Sequence, residues 1–111
     1  MEITNHLKIL FGSMKKITED AYNAFIKRKR FKCRNTEVKI DDSGDFIFLY
    51  LFGNCIARTC EEITYISDGG YGYSRTTAER LRPFPVKLRG CKGEWILDEK
   101  SVWDGNWMKI N

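Results

Sequence analysis

The feature that most constrains the fold is one stretch, ITYISDGGYGYSRTTAERL, which runs from Ile63 to Leu81. Its first residues alternate along the chain with a period of two, which is typical of a strand with one better-buried face. The run Asp68 to Gly72 predicts a turn, because glycine reaches positive φ without a steric penalty and aspartate hydrogen-bonds its own turn. Ser74 or Thr76 is then placed to cap a short helix, which Pro83 stops.

The glycine turn is also a candidate anion site, because backbone N–H groups converge before a helix start and the helix dipole adds positive charge. Arg75, Arg80 and Arg82 would reinforce such a site. The stretch lacks the Gly-Lys-Ser/Thr sequence of a phosphate loop and the G-x-G-x-x-G fingerprint of dinucleotide binding. Plain turn geometry is therefore the favoured interpretation, with Thr76 and Glu79 at the spacing of a capping box.

Upstream of this stretch the pattern is that of a sheet. Residues 36–40 alternate apolar and polar side chains, and residues 41–45 form a polar turn. The run from Phe46 to Phe52 is apolar without interruption, which predicts a central strand buried on both faces. A helix is expected to cover one face, and other elements or a second subunit the other.

Further strands are predicted on both sides of the short helix. The predicted segments are residues 55–60 after a Gly53-Asn54 hairpin, 86–89 and 94–97 joined by residues 90–93, and 102–110 around an Asp104-Gly105 turn. The expected fold is one α+β domain over residues 1–111, with a helical, basic part (1–34) and a β-rich part (35–110). Its antiparallel sheet of about five strands carries the N-terminal helices on one face and the 76–82 helix at an edge.

Two helices are predicted in the N-terminal part. The first places Ile3, Leu7, Leu10 and Phe11 on one face. The second begins at Thr18 as its cap and buries Ala21, Tyr22, Phe25 and Ile26. Its acidic first turn and basic last turn match the helix dipole.

A cluster of positive charge follows the second helix. The chain has a net charge of +4, and the cluster alone supplies six positive charges, from Lys27, Arg28, Lys29, Arg30, Lys32 and Arg34. One interpretation is a solvated helix end. The other is a contact with phosphates or with an acidic protein surface, because clustered cations release counterions and steer encounters. Both interpretations predict an exposed patch.

The residue content argues against an enzyme and against a cofactor. His6 is the only histidine, and no H-E-x-x-H or G-x-S-x-G motif is present. Cys33, Cys55, Cys60 and Cys91 contain no C-x-x-C pair. Cys55 and Cys60 are five positions apart, an odd separation, and would face opposite sides of one strand. Small buried thiols are therefore favoured over a zinc site, which stays an alternative.

Aromatic residues provide a second set of candidate binding residues. Tyr71 and Tyr73 lie in the glycine turn, and Trp103 and Trp107 lie close to the C-terminus. Such residues are more often part of a core, but tryptophan is also a common interface hot spot. No signal peptide or membrane-spanning run is recognised, so a soluble cytoplasmic protein with no membrane partner is expected.

Several separated motifs occur in one order along the chain. They are Asn35-Thr36-x-Val38, Leu51-Phe52-Gly53-Asn54-x-Ile56-Ala57, Ile66-Ser67, Tyr73-Ser74-Arg75-Thr76-Thr77-x-x-Arg80-Leu81, Trp95-x-Leu97 and Trp103-Asp104-Gly105-x-Trp107. In this order they resemble an uncharacterised domain that recurs in small bacteriophage proteins, over roughly residues 35 to 110.

The resemblance implies a phage or prophage origin and action in the host cytoplasm, and it brings no catalytic residue. The expected function is that of a non-catalytic accessory protein, monomeric or homodimeric. It would bind and inhibit a host protein or nucleoprotein complex that handles nucleic acid, for example as an anti-CRISPR protein. The alternative is direct binding of DNA or RNA by the patch at residues 27–34.

Overall fold

The computed structural model describes residues 14–111. The first predicted helix and His6 lie outside this range. Two helices are described, α1 (Lys16–Ile26) and α2 (Arg75–Leu81). The strands are β1 (Phe31–Cys33), β2 (Thr36–Ile40), β3 (Phe46–Leu51), β4 (Asn54–Cys60), β5 (Ile63–Ile66), β6 (Leu88–Cys91), β7 (Glu94–Leu97), β8 (Ser101–Trp103) and β9 (Met108–Lys109).

The strands form two antiparallel sheets. A six-stranded sheet has the order β1-β2-β3-β4-β5-β9, and a three-stranded sheet has the order β6-β7-β8. The α+β class is confirmed, and β3 lies inside the large sheet as predicted. The prediction of a single sheet of about five strands was wrong in number, because β7 pairs with β6 and β8 in a separate sheet while β9 pairs with β5 in the large one.

The core lies on one side of the large sheet. Ala21 and Phe25 of α1 are buried in the same cluster as Val38 and Leu49. Along β3 the residues Ile47, Leu49 and Leu51 are buried, whereas the alternate residues are exposed or half-buried. The prediction that β3 is buried on both faces was therefore wrong. An uninterrupted apolar run can form a strand with only one buried face when its outward-facing residues are aromatic and pack on one another.

The helix starts differ in part from the predictions. Lys15 is the N-cap of α1 and makes no side-chain cap bond. Thr18 lies buried inside the helix, where its hydroxyl accepts a 3.1 Å hydrogen bond from Arg80 Nη1. Ser74, one of the two predicted caps, caps α2 by accepting from Thr77 N at 3.1 Å. The capping box with Thr76 was wrong, because Glu79 Oε2 accepts from Lys15 N instead.

A β-bulge in β4 changes which side chains share a face. Leu49 pairs with Ala57 and Tyr50 pairs with Cys55, so Ile56 has no partner across β3. The bulge places Cys55 and Cys60 on the same face, which corrects the prediction of opposite faces. Their pairing partners on β3 are four residues apart, so the two cysteines lie about 13 Å apart and do not share a metal ion.

Two hairpin turns differ slightly from the predicted positions. The turn after β3 consists of Phe52 and Gly53, one residue earlier than predicted. The turn after β6 is residues 92–93, because Gly90 belongs to the strand. A Cβ on Gly90 would lie 2.1 Å from the Tyr73 ring, so the ring packs directly on the backbone there.

Candidate nucleic-acid interface

The side of the six-stranded sheet that faces away from the core carries the most distinctive surface of the described residues. We call it the open face. The register of the strands assigns to it Lys32, Glu37, Lys39, Phe46, Phe48, Tyr50, Cys55, Arg58, Cys60, Ile63, Tyr65 and Lys109. Five of these residues are apolar or aromatic, four are cationic and one is acidic.

One row of the open face crosses five strands. In this row Lys39 pairs with Phe48, Phe48 with Arg58, Arg58 with Tyr65, and Tyr65 with Lys109. Cations and aromatic rings therefore alternate across the sheet. Because neighbouring strands are about 4.8 Å apart, the row spans about 19 Å.

A second line of aromatic rings runs along β3. The rings of Phe46 and Phe48 are stacked at 6.1 Å, and those of Phe48 and Tyr50 are tilted at 6.2 Å. Phe46 is 40% exposed. The line crosses the row at Phe48, so the rings extend in two directions over the open face.

Cations lie against several of these rings. Arg58 stacks 4.2 Å from the centroid of Trp107 and 5.4 Å from that of Tyr65. The ammonium of Lys39 lies 4.9 Å from the Tyr50 ring. Cation–π contacts of this kind hold the cationic groups in place on the aromatic surface.

The basic run of residues 27–34 borders the open face instead of extending α1. The helix ends at Ile26, and the run continues as a turn and then as the edge strand β1. Five of its members are exposed cations without a side-chain hydrogen bond or ion pair to the described residues: Lys27, Lys29, Arg30, Lys32 and Arg34. Lys32 pairs with Glu37 and belongs to the open face itself. The predicted exposure of the patch and its position directly after α1 are confirmed, since Lys27 is the C-cap of that helix, whereas the predicted basic last turn of the helix was wrong.

Arg28, also in the basic run, forms hydrogen bonds with the turn between β2 and β3. Its Nη2 donates to the carbonyl of Gly44 at 2.6 Å and to that of Asp45 at 3.3 Å. These bonds join the turn after α1 to the turn between β2 and β3. Arg28 therefore connects the basic run to the sheet.

The four predicted aromatic residues separate into two pairs. Trp103 is 7% exposed and packs 5.4 Å from Trp95, so it belongs to the core and offers no binding surface. Tyr73 is half-buried and contacts Trp95 edge-on at 4.9 Å. Tyr71 and Trp107 are exposed, and Trp107 joins the open face through Arg58.

The structure does not bring the predicted anion-site arginines together at the glycine turn. Arg80 is 6% exposed, and its guanidinium donates to Thr36 Oγ1 at 2.9 Å and to Asn35 Oδ1 at 3.4 Å, away from that turn. Burial lowers the pKa of Arg80. Arg75 is exposed at the start of α2. The N–H groups of the turn are bound by its own side chains, with Ser67 Oγ accepting from Gly69 N at 3.2 Å and Asp68 Oδ1 accepting from Gly70 N at 2.8 Å.

Residues 14–111 contain four cysteines but no cluster of metal-ligating side chains. No group of three potential metal ligands lies together in this part of the chain. The four cysteines are free, and burial raises the pKa of the Cys55 thiol. A protonated thiol is a poor nucleophile and a poor ligand. Of the described helices, none is long and apolar enough to cross a membrane.

The comparison with protein families identifies a relationship that covers most of the chain. A family model described as Kyanoviridae Gp96 protein matches residues 14–109. The chain belongs to this bacteriophage protein family. The match includes α1 and the basic run, which the resemblance noted from the sequence left out. No curated protein and no solved structure matches the chain.

Sequence reasoning missed the row Lys39, Phe48, Arg58, Tyr65 and Lys109. Each of these residues occupies an outward-facing position of a strand that was predicted, so the alternation of side chains within each strand could have identified them one strand at a time. The pairing of five strands, which brings these residues into one row, depends on contacts between residues far apart in sequence.

Proposed function

We propose that this phage protein is a non-catalytic binding protein whose open face holds a single strand of DNA or RNA. The observation that carries the proposal is the row in which Lys39, Phe48, Arg58, Tyr65 and Lys109 alternate across five strands. Aromatic rings stack on bases whatever their sequence, and cations between the rings pair with the phosphates of the same strand.

A single strand fits this surface better than a duplex. The rings of Phe46 and Phe48 lie on a sheet and can stack only on bases that are not already paired. A duplex offers mainly phosphates and groove edges, which are read by an inserted helix or ribbon. The open face has neither form.

The basic run contributes long-range attraction in this proposal. Lys32 lies on the open face, and Lys27, Lys29 and Arg30 are exposed in the segment that leads from α1 into the edge strand β1. Exposed cations beside a binding surface raise the rate of association with a polyanion and make the affinity fall with salt.

The second candidate function is inhibition of a host complex that handles nucleic acid, for example a CRISPR nuclease. The observation in its favour is the cluster of Arg58, Tyr65 and Trp107. Arginine, tyrosine and tryptophan are the residues most often found at the centre of protein interfaces. Such an inhibitor would bind its target through the open face without requiring nucleic acid.

Binding to labelled single-stranded DNA, single-stranded RNA and duplex DNA, measured by fluorescence anisotropy across a salt series, tests the proposal. We expect the single strands to bind more tightly than the duplex. Phe48→Ala should weaken single-strand binding about tenfold, because stacking contributes about 1–3 kcal/mol per base. Arg58→Ala should reduce the dependence of log affinity on log salt by about 0.7, the value for one lost phosphate contact on a single strand.

Lys100→Ala is the matched control, because it removes one exposed positive charge from the turn that joins β7 and β8 in the three-stranded sheet. Its affinity should be close to that of the wild type. Equal affinity of the wild type, Phe48→Ala and Arg58→Ala would contradict the proposal. Failure of all nucleic acids to bind, together with capture of a purified host nuclease, would favour the second candidate.

A further inference from the structure

A cleft of about 300 Å³ opens beside the hairpin that joins β3 and β4. Leu51 and Ile56 form a buried apolar part of its wall. Phe52 and Tyr71 also line it, and they are 63% and 67% exposed, which places them at its rim. Thr76, at the start of α2, adds a hydroxyl.

Phe52 is an unfavourable residue for its position. It has a φ of 51° and precedes Gly53 with a φ of 79°, so the hairpin turn requires two residues in the left-handed region. Asparagine, aspartate and glycine are preferred there, and a bulky residue is an outlier. Glu61 and Lys92 have the same backbone conformation in the β4–β5 and β6–β7 turns, and both are charged. Neither the turn nor burial explains a phenylalanine at position 52.

The two rim residues are joined by Asn54. Its Nδ2 donates to the Phe52 carbonyl at 3.0 Å and to the Tyr71 hydroxyl at 2.8 Å. With both amide hydrogens engaged, the side-chain oxygen of Asn54 is available to accept, and the Tyr71 hydroxyl retains a hydrogen to donate. The rim therefore combines two aromatic rings with a hydrogen-bond acceptor and a donor.

The lining of the cleft favours a flat, uncharged group with polar edges. The Asp68 carboxyl group also lines it, and both of its oxygens already accept, from Gly70 N at 2.8 Å and from Trp95 Nε1 at 3.2 Å. No lysine or arginine lines the cleft. A phosphate is therefore disfavoured, whereas the apolar faces and N–H or carbonyl edges of a nucleobase match the apolar wall and the Asn54 and Tyr71 groups.

The cleft opens at the end of β3 on the core side of the sheet, because Leu51 and Ile56 line it, and the turn of Phe52 and Gly53 separates it from the open face. A nucleic-acid strand held on the open face must pass around this turn to reach the cleft. Phe46, Phe48 and Tyr50 form the aromatic line on β3, and Phe52 follows directly at the end of that strand. We infer that the cleft takes one unstacked nucleobase of the strand held on the open face, with the Phe52 ring as its stacking partner. This inference rests on the proposed function and adds a defined base site to it.

The substitution Phe52→Asn separates turn geometry from binding. Asparagine suits the left-handed position, so the melting temperature should stay equal or rise. The affinity for a labelled single strand should fall at least fivefold if a stacked base is lost. Lys92→Asn places asparagine at the same left-handed position of the turn between β6 and β7, and it should change the affinity much less, by no more than the loss of one exposed charge. A fivefold fall in affinity confined to Phe52→Asn would support the inference.

Other results separate failure of the cleft from failure of the function. Wild-type affinity in Phe52→Asn, with weaker binding in Phe48→Ala, would overturn the base site and leave the proposed function intact. If the wild-type protein binds no single-stranded DNA or RNA, both the base site and the proposed function are overturned. Nuclear magnetic resonance titration with the uncharged probes adenosine and cytidine gives a direct readout. Shifts at Asn54 and Tyr71 support the base site, whereas shifts caused only by N-acetyltryptophanamide overturn it in favour of a protein side chain.

Discussion

At the scale of single residues, Asp68 connects the two sheets. Its backbone N–H donates to the carbonyl of Gly105 at 2.9 Å, and its side chain accepts from the buried indole of Trp95. A Cβ on Gly105 would lie 1.9 Å from Asp68 Oδ2, and the φ of Gly105 is +84°. The turn at Asp104 and Gly105 therefore requires glycine for two independent reasons, the close approach of Asp68 to the Gly105 backbone and the positive φ of Gly105.

We predict that Gly105→Ala lowers the free energy of unfolding by about 3 kcal/mol or more, because the new methyl group displaces a buried carboxyl group and strains the turn. Gly70→Ala is the control, since Gly70 has a similar φ of +90° with no heavy atom within 4 Å of a new Cβ. It should lower the free energy by only about 1 kcal/mol. Denaturant unfolding of both variants measures the difference, and equal losses would show that close approach to Asp68 is unimportant.

At the scale of elements, Asp41 organises the turn between β2 and β3. Its Oδ1 accepts from Phe46 N at 3.1 Å and from the Ser43 hydroxyl at 3.0 Å. The bond from the Phe46 N–H is the main reason why the pKa of Asp41 lies below its usual value of 3.8. Arg28 binds the carbonyl groups of the same turn, so this turn also positions the basic run.

This pKa shift gives a pH dependence of defined sign. A carboxyl group with a lowered pKa in the folded state stabilises the fold above its usual pKa of 3.8, and this stabilisation is lost as the pH falls through the folded pKa. Asp41→Asn should therefore lower the free energy of unfolding at neutral pH, and its difference from the wild type should shrink in acid. Urea unfolding at several pH values measures both quantities. Asp42→Asn, at an exposed neighbour, is the control, and a difference for Asp41→Asn that persists unchanged in acid would contradict the prediction.

At the scale of the whole molecule, the large sheet has one dry face and one open face. The dry face packs against α1 through Phe25 and contains Leu49 at 1% exposure. The open face carries Phe46 at 40% exposure on the same strand. Alternate residues of β3 therefore experience entirely different surroundings, although all of them are apolar or aromatic.

We predict opposite outcomes for the same substitution on the two faces. Leu49→Lys should abolish folding, because an unpaired charge in the core opposes a total stability of only about 5–15 kcal/mol. Phe46→Lys should remain folded, because its side chain reaches water. Circular dichroism and thermal unfolding distinguish the two. A folded Leu49→Lys protein, or an unfolded Phe46→Lys protein, would contradict the assignment of the faces.

Local chemistry made part of this fold predictable from the sequence. The alternation in residues 36–40, the Ser74 cap, the helix end before Pro83 and the Asp104-Gly105 turn all appear where the sequence placed them. Each depends on residues within a few positions of one another. Exposure of the basic run was also predictable, because so many like charges are not buried together.

The arrangement of the open face was decided by the tertiary structure. The row from Lys39 to Lys109 exists because five strands pair in one register, and the β4 bulge at Ile56 determines which residues share that face. The sequence alone determined that β3 is an apolar strand. Whether the second face of β3 is covered depends on where α1 and the three-stranded sheet pack. The sequence of β3 does not decide this, because the hydrophobic effect is non-directional and an apolar strand can be buried on one face or on both.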